Sequence, residues 1–305
     1  MVVHAALQED SVTSSGRPTE PRQTEPAWMR NLFIGASVAF VGLLILLPVI
    51  SVFTEAFRKG FSFYLASISD PLAMSALRLT LITAAVTLAA NLVFGLAASW
   101  LIAKFSFPGR NVLLSLIDLP FAVSPVVSGL VFVLLFGAQG WFGQGRIGDF
   151  LSRHGIQIIF STPGVILATI FVTFPFIARE LIPLMQEQGA DEEEAAVLLG
   201  ASGWQTFRRV TLPNIRWALV YGVVLANARA MGEFGAVSVV SGHIRGRTNT
   251  LPLHVEILYN EYNFSAAFAV ASLLALLALV TLVAKAALEW RIRAEERPAG
   301  MEDIA

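Results

Sequence analysis

The chain contains no cysteine among its 305 residues. This excludes disulfide bonds, thiolate metal sites and cysteine nucleophiles. Charge is also scarce, because only 14% of the residues are Asp, Glu, Lys or Arg, whereas soluble domains usually carry about 25%. With 55% apolar residues, a soluble fold would expose large apolar patches and aggregate. Lipid is therefore the solvent that suits this composition.

Lysine and histidine are too few and too scattered to form the common catalytic sites. None of the three lysines, Lys59, Lys104 and Lys285, follows a glycine, which excludes a Walker A phosphate loop. The four histidines make no H-E-x-x-H motif or metal cluster, and we expect them to be exposed loop residues. A net charge of −1 provides no electrostatic footprint for nucleic acid. We therefore expect no enzyme, no cofactor or metal site, and no nucleic-acid partner.

Six segments are apolar and approach the length that a bilayer requires, which is about 20 helical residues. Backbone groups in lipid must be hydrogen-bonded within the chain, so each segment is predicted to be a helix. The pattern predicts an all-α integral membrane protein with six transmembrane helices. The segments are residues 32–53, 76–102, 112–136, 163–185, 217–240 and 266–290.

The distribution of Lys and Arg predicts the orientation of these helices. More of the basic residues fall in the inner loops and tails if both termini are cytoplasmic. Residues 1–29 are polar and lack the layout of a signal peptide, so they are predicted to form a disordered cytoplasmic tail. Residues 30–290 are predicted to form the transmembrane domain, and residues 291–305 a second cytoplasmic tail.

The third apolar segment combines prolines with small residues. Proline removes a helix hydrogen bond and favours a kink, while small residues permit close helix packing. The same residues would suit a moving seam along a translocation pathway, and the sequence supports packing and pathway equally. The candidate pathway residues of this segment are Ser124, Pro125, Ser128 and Gly129.

Two opposite charges, Arg229 and Glu233, are predicted to lie within the fifth membrane helix. A charge at membrane depth is costly and usually has either a partner or a function. A separation of four residues places both side chains on one helix face, so they can neutralise each other as an internal ion pair. The alternative is that Arg229 lines the pathway and favours an anion. Both interpretations remain open at this point.

Residues 191–213 form the most informative loop. Asp191 can cap a helix with Glu194 three residues later, and Gly200 can end that helix in the left-handed conformation. Ser202 and Gln205 form a second capping-box pattern, and Leu212-Pro213 is predicted to break that second helix. Pro213 suits the first turn of the next membrane helix. The loop is therefore predicted to be a short helix–turn–helix with a compact docking surface.

This loop resembles the EAA loop of the permease subunits of bacterial ABC-type importers. The resemblance implies the MetI-like permease fold and a location in the bacterial inner membrane. In that family the first loop helix sits in a groove of a separate ATP-binding subunit, which carries the ATP and magnesium. The matching spacing has one mild departure, Val210 in place of isoleucine. The implied coupling residues are Glu194, Ala195, Ala196, Gly200, Phe207, Leu212 and Pro213.

The last third of the chain is similar to the sulfate/thiosulfate importer permeases. The similarity lies in residues 230–236, 241–253 and 256–262, although Gly-Glu-Phe-Gly at 232–235 is shared with molybdate-type permeases. It implies import of sulfate or thiosulfate, with molybdate or tungstate as the alternative oxyanion. The implied partners are an ATPase dimer, a sister permease that forms a heterodimer with this chain, and an extracytoplasmic sulfate-binding protein.

Two rival interpretations belong to other functional classes. A secondary transporter would work without an ATPase and would place more ionisable groups at mid-membrane than this chain has. A membrane enzyme would require a histidine or an acidic cluster at depth. Co-purification with an ATPase distinguishes the permease from both rivals.

Overall fold

The computed structural model describes residues 26–295. Within that range the regular structure is helical, as the apolar segments predict. The chain divides into two units, with the boundary after Pro48, inside the first helix. The predicted tail at 1–29 falls almost entirely outside the described residues, as does most of the predicted tail at 291–305.

The elements are numbered here in chain order. They are α1 (Ala27–Ala56), α2 (Phe61–Ile68), α3 (Pro71–Lys104), α4 (Arg110–Ala122), α5 (Pro125–Phe136), α6 (Gly145–Arg153), α7 (Thr162–Glu187), α8 (Asp191–Leu198), α9 (Gly203–Thr206), a π-helical segment (Phe207–Thr211), α10 (Leu212–Met231), α11 (Gly235–Val240), α12 (Leu251–Asn260) and α13 (Phe264–Glu295).

Helix α1 is apolar around most of its circumference. Large side chains such as Phe40, Leu43 and Leu47 are more than half exposed. A helix that is apolar on all sides is typical of a membrane span, because lipid solvates every face. Within residues 26–295, four helices, α1, α3, α7 and α13, are long and apolar enough to cross a membrane.

Helix α7 forms the centre of the second unit. Its side chains Ile177, Leu181 and Met185 are fully buried, together with Ile215 of α10. Close packing is possible because glycines face α7 from both neighbouring helices. A Cβ on Gly95 of α3 would lie 3.1 Å from the Ile177 side chain, and one on Gly222 of α10 would lie 3.3 Å from the Ile177 Cα atom. Small residues at such contacts let membrane helices approach closely.

A buried hydrogen bond adds polar specificity to the contact between α3 and α7. The Asn91 amide donates to the Thr173 hydroxyl at 2.7 Å, and both side chains are fully buried. Hydrogen bonds of this kind stabilise membrane helix pairs by about 0.6 kcal/mol on average. The contact therefore fixes the relative register of α3 and α7 more than it adds stability.

Two of the predicted spans are broken. The segment predicted at 112–136 is the pair α4 and α5, which meet at an angle of 112°. If this pair is one span, the structure has five candidate spans among its described residues. The segment predicted at 217–240 consists of α10 and α11, separated at residues 232–234. Polar residues such as Asn227 and Arg229 make α10 less apolar than the other long helices.

The segment at 241–262 packs against the membrane helices and is not an open loop. The backbone N–H of Leu251 donates to the Thr80 hydroxyl of α3 at 2.8 Å, and both residues are buried. His254 is also buried, so the expectation that the histidines are exposed is wrong at this position. Burial lowers the pKa of His254, and nearby Asp70 opposes that shift. His254 faces the core because α12 turns one side toward α3 and α13.

Candidate functional site

Helix α8 begins the loop at 191–213 with an acidic first turn. Asp191, Glu192, Glu193 and Glu194 all lie in that turn, where negative charge stabilises the positive end of the helix dipole. The predicted capping box is wrong, because the N-cap residue is Ala190 and no side chain caps the helix. Asp191 lies one position inside the helix, where its carboxylate cannot act as the N-cap. The acidic turn compensates electrostatically for the missing cap.

The turn that follows α8 matches the prediction closely. Gly200 has a φ of +89°, a left-handed conformation that residues with a Cβ rarely adopt. The next helix starts with a complete capping box: the Gln205 N–H donates to the Ser202 hydroxyl, and the Ser202 N–H donates to the Gln205 side chain at 2.8 Å. The two short helices are therefore held by local bonds encoded in the loop itself.

The end of the loop differs from the prediction. Leu212 and Pro213 do not break the second helix; instead, α9 continues through the π-helical segment at 207–211 directly into α10. A proline ring clashes with the carbonyl four residues earlier in a regular helix. We attribute the wider π-helical turn just before Pro213 to relief of that clash. Pro213 does lie in the first turn of α10, as predicted.

The surface of the loop is apolar and open. Leu198 and Leu199 are 87% and 90% exposed, Trp204 is 69% exposed, and no residue of α8 is buried. Glu194 and Ala195 are exposed beside them, and Ala196 is half-buried. Phe207 stacks on Trp204 with ring centroids 5.6 Å apart and contacts Trp100 of α3 with its edge. These aromatic residues border an apolar cleft of about 450 Å³ between α8, α9 and the end of α3.

Polar contacts hold the base of α8. The Lys104 ammonium lies 2.9 Å from a Glu193 carboxylate oxygen, and the Thr211 hydroxyl donates to the other oxygen at 2.6 Å. The Asn214 amide donates to Glu192 at 2.5 Å. Sequence reasoning missed this network. The available signal was Lys104, a lysine at the inner end of a predicted span whose opposite charges lie in the acidic turn.

The candidate pathway residues meet at the two helix breaks. Ser124 and Pro125 form the start of α5, and the Ser128 hydroxyl donates to the Ser124 carbonyl at 3.2 Å. Gly129 packs directly on α11, since a Cβ there would lie 2.7 Å from the Ala236 carbonyl oxygen. The structure thus brings the four residues together at the contact of α5 with α11. This close contact fits the packing interpretation, and a pathway role stays a prediction.

Arg229 and Glu233 form an ion pair at the second break. Their charged atoms are 2.5 Å apart, and the second Glu233 oxygen accepts the Ala236 N–H at 2.9 Å. The Glu233 side chain is 1% exposed, whereas that of Arg229 is 31% exposed. An unpaired charge at the centre of a membrane helix costs about 2.5–3.5 kcal/mol, so pairing explains how both are accommodated. An anion-binding role of the partly exposed Arg229 stays a prediction.

A third charge pair joins α7 to α4. Arg179 of α7 lies 3.4 Å from the Asp118 carboxylate of α4, and its guanidinium covers the Phe121 ring at 4.9 Å. Sequence reasoning missed this pair. The available signal was that the two opposite charges lie at similar depth in the consecutive predicted spans 112–136 and 163–185.

Comparison with known sequences identifies relatives over nearly the whole chain. Residues 91–294 match the family described as binding-protein-dependent transport system inner membrane component. The sulfate transport system permease protein CysW of Escherichia coli K12 is 52% identical over 276 residues, which is 90% of this chain and 93% of that protein. The sulfate transport system permease protein CysT of the same organism is 36% identical, over 83% of this chain and 89% of that protein.

Comparison with solved structures identifies a similar fold at low sequence identity. A chain of a bacterial alginate ABC transporter, solved in complex with its alginate-bound periplasmic protein, superposes with a TM-score of 0.70. The match covers 87% of this chain and 95% of that chain at 18% identity. The likeness supports the fold.

The conformation of Gly200 leads to a direct prediction. Gly200→Val places a β-branched residue in the left-handed region, which costs about 1–2 kcal/mol, so the turn between α8 and α9 should open more often. We expect about tenfold faster tryptic cleavage after Arg208 or Arg209 in the purified protein. Gly203→Val is the matched control, because Gly203 has an ordinary φ and open space around it. Equal cleavage of the two variants would contradict the turn's role.

Proposed function

Because this chain belongs to the family of binding-protein-dependent transport system inner membrane components, we propose that it is the permease subunit of an ATP-driven importer for sulfate or thiosulfate. The observation that carries the proposal is the 52% identity to a sulfate transport system permease over 90% of this chain. The exposed apolar loop at 191–213 supplies the matching physical feature, a surface that requires a partner.

The partner at the loop is the ATP-binding subunit. Burial of one leucine stabilises an interface by roughly 1.5–3 kcal/mol, and Leu198 and Leu199 are almost fully exposed side by side. Glu194, Ala195 and Ala196 form the same helix, whose small side chains allow close approach of another subunit. Gly200, Phe207, Leu212 and Pro213 shape the loop behind this surface. ATP and magnesium belong to the partner, and this chain carries no cofactor of its own.

The chain crosses the inner membrane six times in this proposal. Helices α4 and α5 together make one span, and α10 makes the span that composition alone does not identify. Its 20 residues extend about 30 Å at 1.5 Å per residue, which matches the hydrocarbon thickness. Both termini then lie in the cytoplasm, on the same side as the loop at 191–213, with the transmembrane domain at 30–290 between two tails.

The absence of native cysteine makes this orientation testable with single-cysteine variants. Trp141→Cys and Trp204→Cys are matched probes, because both tryptophans are exposed, at 83% and 69%. We expect a membrane-impermeant maleimide to label Cys at 141 in intact spheroplasts, and Cys at 204 only after permeabilisation. The opposite labelling pattern would place the loop outside and exclude ATPase docking there.

The permease works as one of a pair in this proposal. The similarity to both CysW and CysT, at 52% and 36% identity, favours a heterodimer with a related sister permease. An extracytoplasmic sulfate-binding protein delivers the anion to the pair. ATP binding closes the ATPase dimer, the paired loops move together, and the permeases switch from inward-open to outward-open. This switch requires two packings of similar free energy.

The first test is transport by the purified complex. Tagged chain is extracted from bacterial membranes in mild detergent, its partners are identified by mass spectrometry, and the complex is reconstituted with its binding protein. We expect ATP-dependent uptake of labelled sulfate that excess thiosulfate suppresses. Uptake of molybdate or tungstate in place of sulfate would shift the substrate to another oxyanion. Recovery of the chain alone with ATP-independent uptake would favour a secondary transporter.

The ion pair at the second helix break yields a separate prediction. Removal of both charges in Arg229→Ala/Glu233→Ala avoids leaving one charge buried alone. If Arg229 attracts the anion, sulfate uptake should fall about tenfold, equivalent to about 1.4 kcal/mol of barrier, while ATPase association is retained. The matched control is Arg179→Ala/Asp118→Ala, which removes the exposed pair between α4 and α7. Normal uptake in the first double variant would make the Arg229 pair structural.

A further inference from the structure

Lys104 occupies an unusual position at the inner end of α3. It is the last residue of that helix, and its side chain is only 9% exposed. Its ammonium contacts the Glu193 carboxylate at 2.9 Å and also donates to the Gly189 carbonyl, just before α8. Lysine is rarely buried unless it is paired, so the position is defined by these contacts. Lys104 therefore ties the end of α3 to the start of the loop.

Glu193 connects three elements: its own helix α8, α3 and the base of α10. One carboxylate oxygen faces Lys104, and the other accepts the Thr211 hydroxyl at 2.6 Å. Thr211 is buried and ends the π-helical segment that leads into α10. The side chain of Glu193 is 17% exposed, so water screens the pair weakly. One carboxylate thus joins α8 to both α3 and the base of α10.

Helix α3 is suited to carry a displacement across the membrane. It runs for 34 residues with no proline beyond its first position. From Lys104 to Thr80 the helix extends about 36 Å at 1.5 Å per residue. At Thr80 the hydroxyl accepts the N–H of Leu251, the first residue of α12. The same unbroken helix therefore contacts the coupling loop at one end and the segment at 241–262 at the other.

The neighbouring helices are less rigid between their ends. Helix α7 contains Pro175 and Pro183, and α10 begins at a π-helical segment and ends at a break. Such irregularities allow a helix to bend at a local point. A displacement of the loop would be absorbed at these points, whereas α3 is one continuous α-helix with no proline after its first residue. The ion pair between Lys104 and Glu193 is the contact through which a displacement of the loop reaches α3.

We propose that the Lys104–Glu193–Thr211 cluster transmits movement of the docking loop to α3 and hence to the far side of the membrane. The proposal rests on the proposed function as an ATP-driven permease and deepens it. Lys104 and Glu193 are positioning residues, distinct from the exposed docking surface. Loss of the charge pair should leave docking intact and separate ATP hydrolysis from transport.

The test compares transport with ATP hydrolysis in the reconstituted complex. Lys104→Met removes the charge while keeping most of the side-chain length. We expect normal recovery of the ATPase with the complex, near-normal ATP hydrolysis, and at least fivefold fewer anions imported per ATP. Lys104→Arg, which keeps the charge and the donor to the Gly189 carbonyl, should restore the ratio to within twofold. Lys285→Met is the matched control, because Lys285 pairs with Glu289 at 3.7 Å on α13, away from the loop.

Two results would overturn the proposal. One is an unchanged transport ratio in Lys104→Met; the other is a parallel loss of complex recovery, hydrolysis and transport that leaves the ratio constant, which indicates a purely structural role. If Lys104→Met does not assemble, Glu193→Gln decides, because it removes only the charge and keeps an acceptor for Thr211. A normal ratio in that variant contradicts transmission through the ion pair.

A fluorescence measurement made without substrate tests transmission through α3 independently of whether the substrate is sulfate. In a complex whose other subunits have been freed of cysteine, Met74→Cys carries one fluorescent label at the exposed outer end of α3. We expect ATP binding to change its fluorescence in the otherwise native chain, and Lys104→Met to abolish that change. Absence of the response in the native background would contradict transmission through α3. If the fluorescence response is intact but sulfate is not taken up, only the assignment of sulfate as the substrate is rejected.

Discussion

A charged side chain in or beside a membrane must find an opposite charge, because lipid does not replace the water it loses. The three pairs described here satisfy that constraint in different ways. Arg229 and Glu233 are four residues apart on one chain segment, Arg179 and Asp118 join α7 to α4, and Lys104 and Glu193 join α3 to the loop. Since charge is scarce in this chain, the two pairs between separate segments constrain where α7 lies relative to α4 and where the loop lies relative to α3.

The exposed fraction of the side chains determines how strongly each pair holds its two partners together. The side chains of Arg179 and Asp118 are more than half exposed, so their attraction is screened and contributes little to stability. Lys104 and Glu193 are mostly covered, and separating them would leave two buried charges without partners. Movement of one partner must therefore carry the other along. Arg229 is intermediate, because its partner is buried while its own guanidinium remains partly open.

The elements that sequence reasoning predicted best depend on local rules. Gly200 ends α8 in the left-handed conformation and Ser202 caps α9, because both effects involve residues only a few positions apart. The long apolar helices α1, α3, α7 and α13 follow from composition in the same way. The capping role of Asp191 failed by one position, since the acidic run offers several residues as the start of α8 and sequence cannot rank them.

The features that sequence reasoning missed depend on tertiary contacts. The sharp bend between α4 and α5 requires α11 as a packing partner, and Gly129 contacts Ala236 more than 100 residues away. The pairing of Lys104 with Glu193 and the burial of His254 likewise arise between distant segments. A single sequence shows which residues could form such contacts, but it does not show which distant residues pair with each other. The prolines therefore indicated a kink in span 112–136 but not its angle of 112°, and span 217–240 was predicted as unbroken.

In the second unit, two membrane segments are broken, after α4 and after α10, whereas α3 is continuous. The breaks after α4 and α10 lie beside the contact of α5 with α11. Irregular backbone at membrane depth is tolerated where protein buries it or a cavity adjoins it. Helix α3 has no such break and contacts polar groups near both ends. In an ATP-driven permease these are complementary requirements. Irregular backbone beside the partly exposed Arg229 is the predicted route of the anion, and a stiff α3 is the proposed element through which the loop acts on that route.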